Sequence, residues 1–331
     1  MERAKTNKRI GFIARCDDTG LGVESMEFVE HVKPDKIMTL MIGYKKQHPE
    51  RFPGSTVIRG VPSEHEIRTW LEGLDVVFAI ETGYHPFFFS ICHRAGVKTI
   101  LRVNYEYLDV CTGINRPDLF LLPTPWHEAD VPNPKKVLPF PINTDRVKAR
   151  EIKTAQTFVH IAGHRGYMDR NGTELFLRVI PLVKSPAKFI IYDQAGGLKT
   201  KDKRAEIRGE AKHYWDMYAD GDVLVIPRKH SGQCLPMREA MAAGMPTLMP
   251  DMDPQNKILE PEWLIPIRRE LSVDIKKRIE YADIDPAKVA QKIDEWYNKN
   301  IWQTSSKLIK KAQSENWTAL LPEYLKLLQN L

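Results

Sequence analysis

Residues 222–251, DVLVIPRKHSGQCLPMREAMAAGMPTLMPD, decide the fold. The run 222–226 is short, apolar and β-branched, and reads as a buried strand. A turn carrying Gly232 follows, and an Ala- and Met-rich helix is expected from about Met237 or one residue earlier, with Pro236 near its first position. Another short strand, 246–250, comes next. Strand, turn, helix and strand in this order build a parallel sheet. Glu239 would fall in the first turn of the helix, where unpaired backbone N–H groups and the positive dipole end favour an anion. The dipole alone would account for a carboxylate there, at about 0.3–1 kcal/mol. The same amides could instead serve a diphosphate.

The rhythm extends outward from this stretch. On its N-terminal side lie strands at 157–163 and 188–192 and helices at 172–183 and 203–219. Further back, strands are expected at 9–15, 36–42, 55–59, 75–80, 97–103 and 118–122, with helices at 22–32, 63–73 and 86–95. A Pro-rich passage at 121–147 interrupts the alternation and marks an exit from one domain. The α/β reading is therefore two doubly wound, Rossmann-like domains, 1–147 and 148–304, facing a shared cleft at the carboxyl ends of their strands. An amphipathic C-terminal segment, 305–331, is expected to pack back on the first.

Composition agrees with this division. A chain of 331 residues with 42% hydrophobic and 28% charged content suits two soluble cores. No apolar run reaches the roughly 20 residues of a membrane span, and the N-terminal stretch lacks a signal-peptide core, so a cytoplasmic location is expected. The four cysteines, Cys16, Cys92, Cys111 and Cys234, form no CxxC pair, which points away from a zinc site or a disulfide framework. A formal charge of +6, with basic runs at 45–46, 199–208 and 268–278, is compatible with a polyanionic partner or with an ordinary solvated surface.

DVLVIPRKHSGQCLPMREAMAAGMP resembles the donor-binding signature of retaining GT-B glycosyltransferases of family four. HIAGHRGYMDRNGTELFL (160–177) resembles that family's strand, loop and helix, VLPFPINTDRV the passage before its interdomain linker, and the Trp317 helix the one that crosses back. The resemblance implies a nucleotide sugar as co-substrate, UDP- or GDP-linked, with no further cofactor and no metal. Glu239 would bind the ribose hydroxyls, while Gly232, Gln233, Cys234 and Leu235 would face the sugar and its phosphate. Arg165 and Arg170 would neutralise the diphosphate, a task suited to the planar guanidinium. Gly20 and Gly22, in CDDTGLGVES, would let backbone approach the donor phosphate or the acceptor. The family's earlier carboxylate is replaced here by Ser231, which leaves the transferred sugar open.

In the first domain, Glu81 and Glu106 stand at strand ends, and His85 and the run YHPFFF follow Glu81. Glu81, Glu106 and His85 are the candidate catalytic groups, with Glu81 or Glu106 orienting the acceptor hydroxyl or the sugar; a helix cap or a buried polar contact would equally explain the carboxylates, and core packing the phenylalanines. The chain also looks like compact glycosyltransferases encoded by bacteriophages, which implies a hydroxymethylated pyrimidine in phage DNA as one acceptor and the host cytoplasm as the location. A glycan, a lipid or a virion protein is the alternative acceptor. A catalytically inactive nucleotide-sugar-binding module is the non-enzymatic reading. Oligomeric state is not legible.

Overall fold

The computed structural model describes residues 7–43, 46–165, 169–230 and 232–331. The chain divides into two compact units: Met1–Pro141 with Ile275–Lys277 and Trp317–Leu331, and Ile142–Asp274 with Arg278–Asn316.

The first unit runs β1 (Ile10–Arg15), α1 (Gly20–Val32), β2 (Lys36–Met41), β3 (Thr56–Arg59), α2 (Glu64–Leu71), β4 (Val76–Glu81), α3 (Phe88–Arg94), β5 (Lys98–Val103), β6 (Leu119–Leu122) and β7 (Lys135–Val137). Its seven strands form one parallel sheet in the order β3-β2-β1-β4-β5-β6-β7. The order reverses between β1 and β4, so loops leaving the carboxyl ends of these strands diverge and open a crevice. α2 starts where Ser63 and Glu66 cap each other reciprocally, the two-way arrangement that satisfies orphan amides at a helix start. Phe28 stacks on Phe12 and on Phe78, each at 4.4 Å between ring centroids.

The second unit continues with β8 (Thr157–Ile161), α4 (Thr173–Val179), β9 (Lys188–Tyr192), β10 (Ala205–Arg208), β11 (Val223–Val225), α5 (Leu235–Ala243), β12 (Thr247–Pro250) and β13 (Leu264–Ile265). Its six-stranded sheet has the order β10-β9-β8-β11-β12-β13, again parallel. An antiparallel pair, β14 (Ile267–Asp274) and β15 (Arg278–Ile284), and helices α6 (Pro286–Trp296) and α7 (Trp302–Ser314) follow, and α8 (Trp317–Asn330) completes the chain. The architecture is GT-B: two Rossmann-like α/β domains.

Several expectations need correction. The helix expected at 203–219 is an edge strand, β10, followed by a short 3-10 turn at Tyr214–Tyr218; pairing of Ala205–Arg208 with β9 overrides the helical composition of the segment. The basic run at 268–278 lies in the β14–β15 hairpin, where Arg268 pairs with Asp285 and Arg269 with Asp283. The boundary falls at Pro141 rather than 147, because Ile142 bridges Asn316 within the second unit. Only α8 returns to the first unit. α7 stays with the second, where the Ser305 hydroxyl accepts from Ile152 N–H at 3.0 Å and Arg238 pairs with Glu315 at 2.8 Å.

Trp317, Tyr324 and Leu328 of α8 are buried in the first unit's core, and the Tyr324 hydroxyl donates to the Pro139 carbonyl at 3.2 Å. All four cysteines are buried and unpaired. No helix among the described residues is long and apolar enough to cross a membrane.

Candidate active site

In the second unit, α5 begins at Leu235, two residues earlier than Met237, so Glu239 sits one turn inside the helix and the first turn carries no acid. The dipole argument for this carboxylate therefore fails. A specific partner replaces it: the Tyr218 hydroxyl donates to Glu239 Oε2. Tyr218 is buried, and burial, followed by the charge of Glu239, holds its phenol well above the usual value. Tyr218 therefore keeps its proton and acts as a fixed donor to a half-buried carboxylate. Hydrogen bonds to a charged group stabilise by about 1.5–3 kcal/mol.

The loop entering α5 is tied to the start of α4. Arg228 donates to Asn171 Oδ1 at 2.8 Å, and Asn171 Nδ2 donates to the Ile161 and Ala162 carbonyls at 3.2 and 3.3 Å. Lys229 N–H donates to the Arg170 carbonyl at 2.9 Å. Asp169 accepts from the amides of Thr173 and Glu174 at 2.8 and 3.1 Å. Gly172 has φ +72°, and a Cβ there would lie 2.2 Å from the Pro227 carbonyl oxygen, so no other residue fits this crossing. Behind it, the buried His160 ring spans the Val225 carbonyl, 2.8 Å from Nδ1, and Thr173 Oγ1, 2.9 Å from Nε2. Burial pushes its pKa down to about 4, so the ring is neutral at neutral pH.

The expected donor residues take different places on this frame. Gly232 and Gln233 are half-buried, Cys234 caps α5 and Leu235 opens it. Ser231 lies outside the described residues. Arg165 donates to the Gly196 carbonyl and lies 3.7 Å from Asp193, at the end of β9. Arg170 stands in the turn ahead of α4, its carbonyl holding the α5 loop. Tyr218, Asn171 and Arg228 were not named as site residues from the sequence. Tyr218 was hidden in a segment read as helix.

The first unit gathers a second carboxylate cluster. Glu81 ends β4 with φ +72°, a strained conformation for a non-glycine residue. Its carboxylate accepts from Asn104 Nδ2 at 3.1 Å, Asn104 Oδ1 accepts from Arg102, and Arg102 forms a buried ion pair with Glu24. Burial pushes the Glu81 pKa up; Asn104 and Arg15 oppose the shift, and the charge of nearby Glu106 adds to it. Arg15 pairs with Asp17 and lies over the Tyr84 ring, 5.7 Å from its centroid. The structure thus brings Glu81 and Glu106 together, beside Arg15, Asn104 and Tyr84.

His85 is placed differently. Its Nδ1 accepts from Phe87 N–H at 3.1 Å, which leaves Nε2 to carry the proton of the neutral ring. Of the three phenylalanines, Phe88 and Phe89 are core and Phe87 is exposed. Gly20 and Gly22 lie in the first turn of α1 rather than in a loop before it. A Cβ on Gly22 would meet the Asp17 carbonyl oxygen at 1.8 Å, so an internal contact already requires this glycine. Among the described residues one group has metal-ligand spacing, Glu27, Glu30 and His31 on α1; His31 there stacks on Trp317 at 4.5 Å.

Comparison with known proteins agrees with the fold. The family described as Glycosyl transferases group 1 matches residues 156–298. A search of curated proteins returns no match. Among solved structures, the Anabaena protein HepE in complex with UDP-glucose superposes with a TM-score of 0.71 at 10% identity, covering 98% of this chain and 100% of its own. Sucrose-phosphate synthase of Thermosynechococcus elongatus gives 0.71 at 12% identity over 97% and 98%. A Rickettsia africae glycosyltransferase gives 0.68 at 8% identity over 98% of each chain. The chain is a glycosyltransferase of GT-B fold.

Proposed function

We propose that this glycosyltransferase takes its sugar from a UDP-linked donor bound by the second unit, with retention of anomeric configuration. The observation that carries the reading is Glu239 on α5, held by the buried Tyr218 hydroxyl within the segment matched to the glycosyl transferase family. A half-buried carboxylate with one fixed donor suits a pair of ribose hydroxyls. Gly232–Leu235 and Arg170 would face the sugar and the diphosphate. The acceptor hydroxyl attacks the anomeric carbon, the carbon–oxygen bond to phosphate breaks, and the acceptor's proton passes to the departing phosphate oxygen. The complexes of HepE with UDP and with UDP-glucose support the nucleotide.

On the acceptor side, Glu81 and Glu106 are the proposed groups of the first unit. We assign a hydroxymethylated pyrimidine in DNA as the acceptor, on the basic balance of the chain. The test is incubation with a panel of UDP- and GDP-sugars and hydroxymethylated DNA, followed by nucleoside mass spectrometry. A glycosylated nucleoside is the expected product. Sugar transfer to a glycan, lipid or protein with DNA left unmodified would move the assignment. DNA titrated onto the enzyme without donor should bind with a log–log salt slope of about 0.9 per phosphate contacted. The slope should be shallow, because Arg204, Arg208, Arg268 and Arg269 are already paired with acids of this chain.

A further inference from the structure

His230 is only 3% exposed, yet neither of its ring nitrogens has a hydrogen-bond partner among the described residues. Leaving a buried polar group unmade costs about 1–3 kcal/mol, and such groups in folded proteins call for an explanation. A slack loop does not supply one. Lys229 N–H is bonded to the Arg170 carbonyl at 2.9 Å, the Lys229 carbonyl accepts from Ala282 N–H at 2.8 Å, and Arg228 reaches Asn171 at 2.8 Å.

Charge around the ring has one dominant sign. Arg170 acts on it from the turn ahead of α4, and Arg228 and Lys229 act from its own loop; Asp169 lies 3.7 Å from Lys229 Nζ. Burial first, and these three cations next, push the imidazole pKa down to about 3. The ring is therefore neutral, without a hydrogen-bond partner among the described residues, and set among cations. An anion that accepts hydrogen bonds complements all three properties. The same loop runs on through Gly232–Cys234 to the first turn of the nine-residue helix α5, where backbone amides lack partners within the helix.

We propose that His230 ligates a phosphate oxygen of the bound nucleotide sugar and takes up a proton from solvent as the diphosphate arrives. The inference rests on the donor reading given above. No bond of the diphosphate is made or broken in this step; one proton moves from the acid form of the buffer, through solvent, to the imidazole. Both nitrogens are buried, so the side chain must turn to meet the ligand, and recovery of its missing hydrogen bonds favours that turn. The arriving anion offsets Arg170, Arg228 and Lys229 and stabilises the imidazolium, so the pKa rises on binding. Affinity must then strengthen as pH falls.

The experiment is calorimetric titration of the full chain with UDP-glucose and with GDP-mannose, whose diphosphates are diesters that do not titrate near neutrality. Buffers of different ionisation heat at pH 6 and pH 8.5 count the protons. The wild type should take up roughly 0.3–1 proton per nucleotide at pH 6 and almost none at pH 8.5. In His230→Gln the uptake should vanish and binding at pH 6 should weaken roughly tenfold. Normal binding with no uptake at pH 6 overturns the proposal, and that result needs no variant. Uptake that persists in His230→Gln overturns it as well, by assigning the proton to another group. If neither nucleotide sugar binds the wild type, the donor reading itself fails and this inference falls with it.

Discussion

The two units anchor their carboxylates by opposite means. In the first, Glu81 is reached through a charged chain: Glu24 pairs with Arg102, Arg102 donates to Asn104, and Asn104 donates to Glu81. In the second, the frame behind the α5 loop is the neutral His160, bridging β11 and α4, and Glu239 receives its hydrogen bond from an un-ionised phenol. A buried charged chain fails badly when one member is removed, since it leaves an uncompensated ion. A neutral frame fails when it is made to take a proton. The carboxylates differ accordingly: desolvation pushes Glu81 towards its protonated form, which suits proton handling, while Glu239 is held by a fixed hydrogen-bond donor, which suits binding.

Breaking the charged chain should give the largest effect. Arg102→Met removes the cation paired with buried Glu24 and is expected to cost about 3–5 kcal/mol in urea unfolding. Adding Glu24→Gln should recover part of that loss; an unchanged midpoint in the single variant would mean that the pair does not brace the first unit. Next comes the neutral frame. Because the folded-state pKa of His160, about 4, lies below the unfolded value of 6.5, the unfolded chain binds the proton more readily. Stability is intact above pH 6.5 and lost as pH falls towards 4, by about 3 kcal/mol at most. His160→Gln should flatten that part of the stability–pH curve, and an equal slope in both proteins would show that the ring is not the source.

The remaining two tests sharpen the assignment of Glu239 to binding. Glu239→Ala should lower turnover at least about 100-fold, corresponding to roughly 2.7 kcal/mol, with the fold intact by circular dichroism. Near-normal turnover would remove the ribose role. Tyr218→Phe keeps the carboxylate but deletes its fixed donor, and a loss of about 0.5–1.5 kcal/mol in donor affinity is expected. Titration calorimetry with UDP measures it, and an effect as large as that of Glu239→Ala would make the phenol a ligand in its own right.

Most of the architecture was legible because short β-branched runs and the helices between them repeat at regular intervals, from RIGFIAR to PTLMP. β10 and the β14–β15 hairpin were not, since both are charged and their strand character comes from a neighbour: β9 for one and the opposite arm for the other. Glu239 stood out by its place in a motif, and Glu81 and Glu106 by their positions at strand ends. Tyr218 and His230 could not be found in this way. What sets Tyr218 apart is contact with a residue 21 positions away, and what sets His230 apart is the lack of a hydrogen-bond partner among the described residues inside a buried site; neither property leaves a periodicity.

Return of α8 to the first unit has a consequence for the order of synthesis. Trp317 packs edge-on against Phe140 at 5.4 Å, and Tyr324 lies 6.1 Å from Phe78. Until residues 317–331 leave the ribosome, the aromatic interior built on Phe12, Phe28 and Phe78 lacks these rings. Residues 142–316, by contrast, hold the whole of the second unit, interrupted only by the hairpin tip, Ile275–Lys277, which belongs to the first. Domains generally fold as units in the order they emerge; here the unit that emerges first is the last to be finished, and it must wait through the synthesis of the other with an unsealed face.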